Sequence, residues 1–313
     1  MRKILVTGGT VFVSRYIAEY YVNYEPEYLG DDYSEVYVLN RGTHNQPDGV
    51  TLIKSDRKEI GDKLMNYDFD LVIAVNVYTR EEMKALVESL HSVKDFVFIS
   101  SSAVYPETLP QPFTEEMPTG PNSVWGDYGV NKREAEEYLL KHIPQAYILR
   151  PPYLYGRMNN LYREGFVFDC ALLERPFYIP KDGSMKLQFF HVRDLCRFID
   201  IIVRQHPDEH IFNVGNSEAV DINTFVELCY KTVGSSLEKI YVGEEHTQRS
   251  YFPFHDYSYV LDVSKMSELM PDTMPLRKGL KESFLWYREN DNAVNKKPYI
   301  EYCDNFLTDS NNE

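Results

Sequence analysis

The chain has 313 residues, 43% hydrophobic and 26% charged, enough to bury a core without disulfides or metals. A formal charge of −15 is the wrong sign for releasing counterions from a phosphate backbone, so nucleic acid is disfavoured as a partner. Cys170, Cys196, Cys229 and Cys303 lack any C-x-x-C or metal-ligand spacing, and no apolar run approaches ~20 residues, so the expectation is a cytoplasmic protein with free thiols and no membrane span.

In chain order, residues 3–7 read as a strand and 11–24 as a helix with apolar residues at helical spacing. Strands follow at 35–40 and 50–55, then a polar helix around 57–67 and a β-branched run at 71–77 of the kind buried on both faces of a parallel sheet. A helix at 80–91 and a strand at 95–101 continue the alternation. The proline-rich stretch 106–121 reads as a surface excursion, before a long helix at 125–142 and a strand at 146–150. Helices at 192–204, 223–233 and 276–289 sit in a looser second half, and 308–313 reads as a disordered tail. Strands separated by single helices imply an α/β, Rossmann-like, doubly wound and mostly parallel sheet. The expected division is a dinucleotide-binding domain at 1–155 with returning segments from about 186–216, a smaller C-terminal substrate lobe at 156–300, and a tail at 301–313.

The first strand runs into Thr7-Gly8-Gly9-Thr10-Val11-Phe12-Val13-Ser14. Such a turn ahead of a helix seats a pyrophosphate on backbone N–H groups. A G-x-x-G-x-x-G fingerprint begun at Gly8 would need glycine where Val11 and Ser14 stand. Further on, Tyr128 and Lys132 lie four apart on one helix face, where an ammonium would favour the phenolate and fit the phenol for proton transfer. With 25 tyrosines, one such pair arises by chance, and its position gives it weight. It follows the strand ending Ser100-Ser101-Ser102-Ala103-Val104-Tyr105 and precedes Leu149-Arg150-Pro151-Pro152-Tyr153-Leu154-Tyr155-Gly156.

With Phe190-His191-Val192-Arg193-Asp194-Leu195 and Phe212-Asn213-Val214-Gly215, these motifs come in an order that resembles the extended short-chain dehydrogenases/reductases, specifically the NAD-dependent epimerase/dehydratase family. The resemblance covers about residues 1–290. It implies NAD(P)-dependent chemistry on a sugar-like hydroxyl or carbonyl, with Tyr128 as acid/base, Lys132 as ribose anchor and Ser101 (Ser102 as the near alternative) bonding the substrate oxygen. The cofactor contacts it implies are Gly8, Gly9, Thr10, Phe12, Val13, Asn40, Arg41, Asp56, Ser100, Pro151 and Tyr153, and it allows a homodimer. TGGTVFVS looks like an atypical branch that includes chloroplast stem-loop RNA-binding proteins. RNA binding, or a non-catalytic NADP sensor, is therefore the alternative to an enzyme.

The departures from the family pattern carry information. The second strand ends Leu39-Asn40-Arg41-Gly42, without the carboxylate that would accept from a ribose 2′-hydroxyl, and Arg41 suits a 2′-phosphate, which favours NADP over NAD. Leu187 and Gln188 stand about where nucleotide-sugar members carry a diphosphate-gripping arginine, which leaves Arg163, Lys186 and Arg249 as unpaired candidates that read as surface charges sooner than as anion ligands. His206 and His210 flank Pro207 in an apparent loop, so no metal is expected, and His191 reads as a packing residue.

Overall fold

The structure, a computed structural model, describes residues 2–23 and 34–308; Tyr24 at the end of the expected first helix and residues 309–313 of the expected tail lie outside them. β1 (Arg2–Thr7) leads into α1 (Phe12–Asn23), then β2 (Ser34–Asn40), β3 (Val50–Lys54), β4 (Asp68–Ala74), α2 (Arg80–Ser89), β5 (Ser92–Ile99), α3 (Asp127–His142) and β6 (Tyr147–Arg150). The second half continues with β7 (Tyr153–Tyr155), α4 (Glu164–Leu172), β8 (Phe177–Pro180), β9 (Lys186–Leu187), β10 (Phe189–His191), α5 (Val192–Gln205) and β11 (Ile211–Asn213). It closes with β12 (Val220–Asp221), α6 (Ile222–Val233), β13 (Lys239–Val242), α7 (Ser264–Leu269), α8 (Leu276–Asn290) and α9 (Tyr299–Phe306).

Seven strands pair in the order β11-β6-β5-β4-β1-β2-β3, all parallel, in a Rossmann-like α/β fold. The two-residue period of a strand sends alternate side chains to opposite faces. In β4, Leu71 and Ile73 enter one core while Val72 and Ala74 enter the other, so its β-branched run is buried on both sides. A third, aromatic-rich core joins Tyr155, Phe166 and Phe177 to Phe225 and Phe254 in the second half.

The sheet also fixes where a ligand can enter. Strand order reverses at β1, which lies between β2 and β4, and this opens a crevice at their C-terminal ends. Thr7 ties the crevice floor together, its Oγ1 accepting the N–H groups of Val75 (2.9 Å) and Asn76 (3.3 Å).

Two expectations are corrected. The helix expected at 57–67 is only a 3-10 turn, Gly61–Leu64, because Gly61 takes φ +58°, outside the right-handed helical region. The 106–121 stretch is not wholly superficial. Phe113 is fully buried, donating its N–H to the Val260 carbonyl (2.9 Å) and accepting from Asp262 N (2.8 Å).

Candidate active site

The glycine turn forms one end of the crevice. Gly8 and Gly9 take φ of +97° and +84°, and a Cβ on Gly9 would lie 2.5 Å from Val38 Cγ1. That turn is open to glycine alone. Ser14 occupies the slot of the expected third glycine by turning inward, its hydroxyl donating to the Val11 carbonyl at 3.0 Å. Val11 stays 42% exposed on the crevice floor. Phe12 begins α1 at φ +36°, a left-handed conformation that costs a non-glycine residue ~1–3 kcal/mol.

Beyond the turn, a cavity of about 390 Å³ is lined by Arg41, His44, Asp56 and Lys58, among others, so cations outnumber its one carboxylate. Asn40 also lines it, but its amide braces the turn by donating to the Gly8 carbonyl (2.6 Å) and Gln46 Oε1 (2.8 Å). The Asp56 carboxylate accepts the Lys58 N–H at 2.9 Å. Arg57 is drawn to Glu82 at 2.8 Å and over the Tyr78 ring.

A central cavity of about 520 Å³ joins the turn to α3, and Gly8, Thr10, Phe12, Val13, Ser100, Pro151, Ser101, Tyr128 and Lys132 are among the residues that line it. Helix α3 lies hard against the short turn Ser102–Val104, since a Cβ on Gly129 would overlap the Ala103 carbonyl. This close approach sets Tyr128 beside Ser101. Lys132 is 2% exposed, and its nitrogen donates to the carbonyls of Val77 (2.8 Å) and Ile99 (2.9 Å), so that the protonated form keeps one N–H for a ligand. Burial lowers its pKa to about 7, with Glu136 and Glu82 pulling upward.

In the free protein the Tyr128 phenol is shifted up, whereas the lowered value expected from the sequence was for an ammonium together with an oxidised nicotinamide ring. Burial raises its pKa, the Ser101 hydrogen bond only partly offsets this, and the Lys132 nitrogen is turned to the two carbonyls. The free protein therefore holds Tyr128 as a neutral proton donor.

Lys132 also sets a stability signature. The folded chain releases this proton near pH 7 and the unfolded chain near ~10.4, so over that interval the unfolded state binds more protons and stability rises with pH. The interval from pH 7 to ~7.5 is the cleanest, lying above the unfolded histidines and about a unit below the unfolded thiols, whose four buried counterparts pull the other way at higher pH. Urea midpoints should climb more steeply across it in the wild type than in Lys132→Met.

Behind these groups runs a buried polar network. Ser100 donates to Glu136 Oε1, and Arg150 reaches Glu136 through Nε (3.1 Å) and Nη2 (2.6 Å). Arg150 Nη1 donates to Tyr105 Oη (2.8 Å), which donates to Asn213 Oδ1 (2.8 Å). The serine run, the α3 segment, the Leu-Arg-Pro strand end and Phe-Asn-Val-Gly are thereby joined in one connected unit.

At the far end, a cavity of about 280 Å³ is lined by Ser101, Trp125, Tyr128, Tyr153, Arg163 and Tyr259, among others. Arg163 is thus not the surface charge expected; packing lays its guanidinium over Tyr153 (4.9 Å) and Phe254 (5.9 Å). The three cavities share walls. Gly8 and Thr10 line the first two, Ser101 and Tyr128 the last two.

Comparison with known proteins gives this cleft its context. The profile of the NAD dependent epimerase/dehydratase family matches residues 4–215. The chain belongs to that family. Among curated relatives, chloroplast stem-loop binding protein of 41 kDa b from Arabidopsis thaliana is 25% identical over 90% of this chain and 78% of its own length. A probable GDP-L-fucose synthase 1 from Oryza sativa is 27% identical over 70% of each chain. In fold, this family member superposes on dTDP-glucose 4,6-dehydratase from Bacillus anthracis, solved with NAD, with a TM-score of 0.73 at 20% identity, covering 94% of this chain and 99% of the other. UDP-glucose 4-epimerase from Thermotoga maritima, solved with UDP-glucose, gives 0.72 at 18% identity, covering 92% and 99%.

Within the family framework, the sequence-derived residues fall along one path. Gly9 packs on Val38 behind the turn, and Tyr153 stands at the far end under Arg163. Leu187 and Gln188 are fully buried, and Gln188 bonds the backbone of Asn216 (2.9 Å) and Leu261 (3.1 and 2.8 Å). Lys186 lies 3.7 Å from Asp221 and is exposed, as is Arg249. His191 is buried, its Nδ1 accepting from Arg193 N (3.3 Å), and His206 meets Asp95 at 2.9 Å. Three residues were missed: Asn76, Trp125 and Glu136. Asn76 follows β4 at the strand-order reversal and lines two of the cavities, with a buried Oδ1 that lacks a partner. Its position just past a buried strand was the available signal.

Proposed function

We propose that this family member is a nicotinamide-dinucleotide-dependent enzyme of the epimerase, dehydratase or reductase type, acting on a hydroxyl or carbonyl of a sugar-like substrate. The observation that carries the reading is the continuous cleft with the Gly8 turn at one end and Ser101, Tyr128 and Lys132 at the other. The residues present fit such a cofactor. The turn excludes a Cβ, Lys132 keeps one donor free, and the buried Asn76 Oδ1 lacks a partner. A bound dinucleotide supplies the hydride donor or acceptor.

The protein groups supply the rest. Tyr128 holds a proton at its phenol and gives it to a carbonyl oxygen in the reductive direction. Ser101 donates a hydrogen bond to the same oxygen, stabilising charge that grows there. Lys132 orients the cofactor ribose with its remaining N–H. The cationic side chains of Arg41 and Lys58 favour a 2′-phosphate, hence NADP over NAD. Arg41→Ala should weaken NADP binding by about tenfold or more and leave NAD nearly unchanged, measured by calorimetry.

The Arabidopsis stem-loop binding relative favours a second reading, RNA binding, which the −15 charge opposes. Retention on RNA that falls with salt over several charges would support that reading against the enzyme.

A further inference from the structure

The far end of the cleft differs from the rest of the molecule in sign. The chain carries a net charge of −15, yet no acidic side chain lines this cavity. Its one charged group is Arg163. The nearest acid in sequence, Glu164, is occupied, its carboxylate accepting from Asn159 Nδ2 at 3.0 and 3.1 Å. Among the described residues, Arg163 forms no ion pair. Its guanidinium lies over Tyr153 and Phe254, an arrangement that pins the planar face and leaves the in-plane N–H donors available. Ser101, whose hydroxyl bonds Tyr128, lines the same space, and the Trp125 indole forms part of its wall, with a buried Nε1–H that has no partner. Arg249 adds positive potential to the same cluster, and burial with the two arginines holds His255 below its ordinary pKa.

A guanidinium without a carboxylate partner in a pocket of low polarity selects an acceptor-rich anion. This end of the cleft, about 280 Å³, has room for one sugar ring with a charged substituent. We infer that the substrate is a monosaccharide-sized hydroxy or keto compound bearing its own oxyanion, a carboxylate or a phosphate, held by Arg163 while its reacting oxygen meets Tyr128 and Ser101. The substrate role rests on the proposed enzymatic reading; the anion site itself does not.

The test uses the full chain carrying Trp286→Phe, which leaves Trp125 as the remaining one of two tryptophans and so a reporter inside the pocket. Its fluorescence is followed as D-glucuronate, D-glucose 6-phosphate, D-glucose and UDP-glucose are titrated in turn, and NADP binding is measured on the same samples. The expected result is saturable quenching by at least one of the two monosaccharide anions, about tenfold or more tighter than D-glucose, with glucuronate and glucose 6-phosphate separating the carboxylate from the phosphate. Arg163→Met should abolish that margin and Arg163→Lys restore part of it. Equal response to glucose and the anions, no saturable response to either anion, or tighter binding of UDP-glucose than of both anions overturns the inference. So does an Arg163→Met variant that loses NADP affinity while keeping the anion. Arg163-dependent anion binding without NADP binding would keep the site and reject the cofactor reading.

Discussion

Tyr128→Phe should lower turnover by ~10²–10⁴-fold while leaving dinucleotide affinity and the unfolding midpoint near wild type, since it removes one hydroxyl and its proton. The ring itself packs between Tyr78 and Trp125, at 6.4 and 6.3 Å between centroids, and phenylalanine keeps that packing. In the free protein the phenol is neutral: Tyr128 is 37% exposed, yet desolvation at the cleft wall outweighs the Ser101 hydrogen bond. Reduction of a carbonyl can draw on that proton directly, whereas oxidation of a hydroxyl needs the phenolate. The wild-type rate in the oxidative direction should therefore keep rising with pH above neutrality, and steady-state rates in both directions would reveal the asymmetry. A variant with undiminished turnover would remove Tyr128 from the chemistry and favour a binding-only protein.

The second large effect falls on stability. Glu136→Ala leaves the Arg150 guanidinium buried, at 4% exposure, without its carboxylate, which costs ~3–5 kcal/mol. The Ser100 hydroxyl and the upward pull on Lys132 lose the same partner. Urea unfolding should show the loss, and dinucleotide affinity should fall with it as Lys132 loses its setting. Replacing both partners, Glu136→Leu with Arg150→Met, should recover much of the stability, because the unpaired buried charge is gone. Equal destabilisation by single and double variants would mean that packing, and not charge, holds the unit together.

What could be read from the sequence was local. The glycine turn follows a buried strand within a few residues, and the four-residue spacing of Tyr128 and Lys132 fixes a shared helix face. The alternation of strands and helices gave the parallel sheet for the same reason. Spacing could not show where the Lys132 nitrogen makes its bonds, nor therefore the sign of the Tyr128 shift in the free protein. The network through Glu136 joins Ser100 to a residue 36 positions on and Tyr105 to one 108 positions on, separations that no local pattern reveals. Arg163 was misplaced for a similar reason, since Phe254 meets it only after the second half packs. Gly61 was present in the expected 57–67 helix, and its left-handed φ ended that helix before it formed.

The atypical turn is where local and global information meet. Ser14 turns its hydroxyl inward to the Val11 carbonyl, while Val11 stands exposed on the crevice floor. The central claim is that this crevice holds a nicotinamide dinucleotide, and calorimetry of the purified chain with NADP and NAD side by side tests it most directly. The account predicts one-to-one binding of NADP well below about 1 mM and tighter than NAD. Failure of either dinucleotide to bind below that concentration would contradict it.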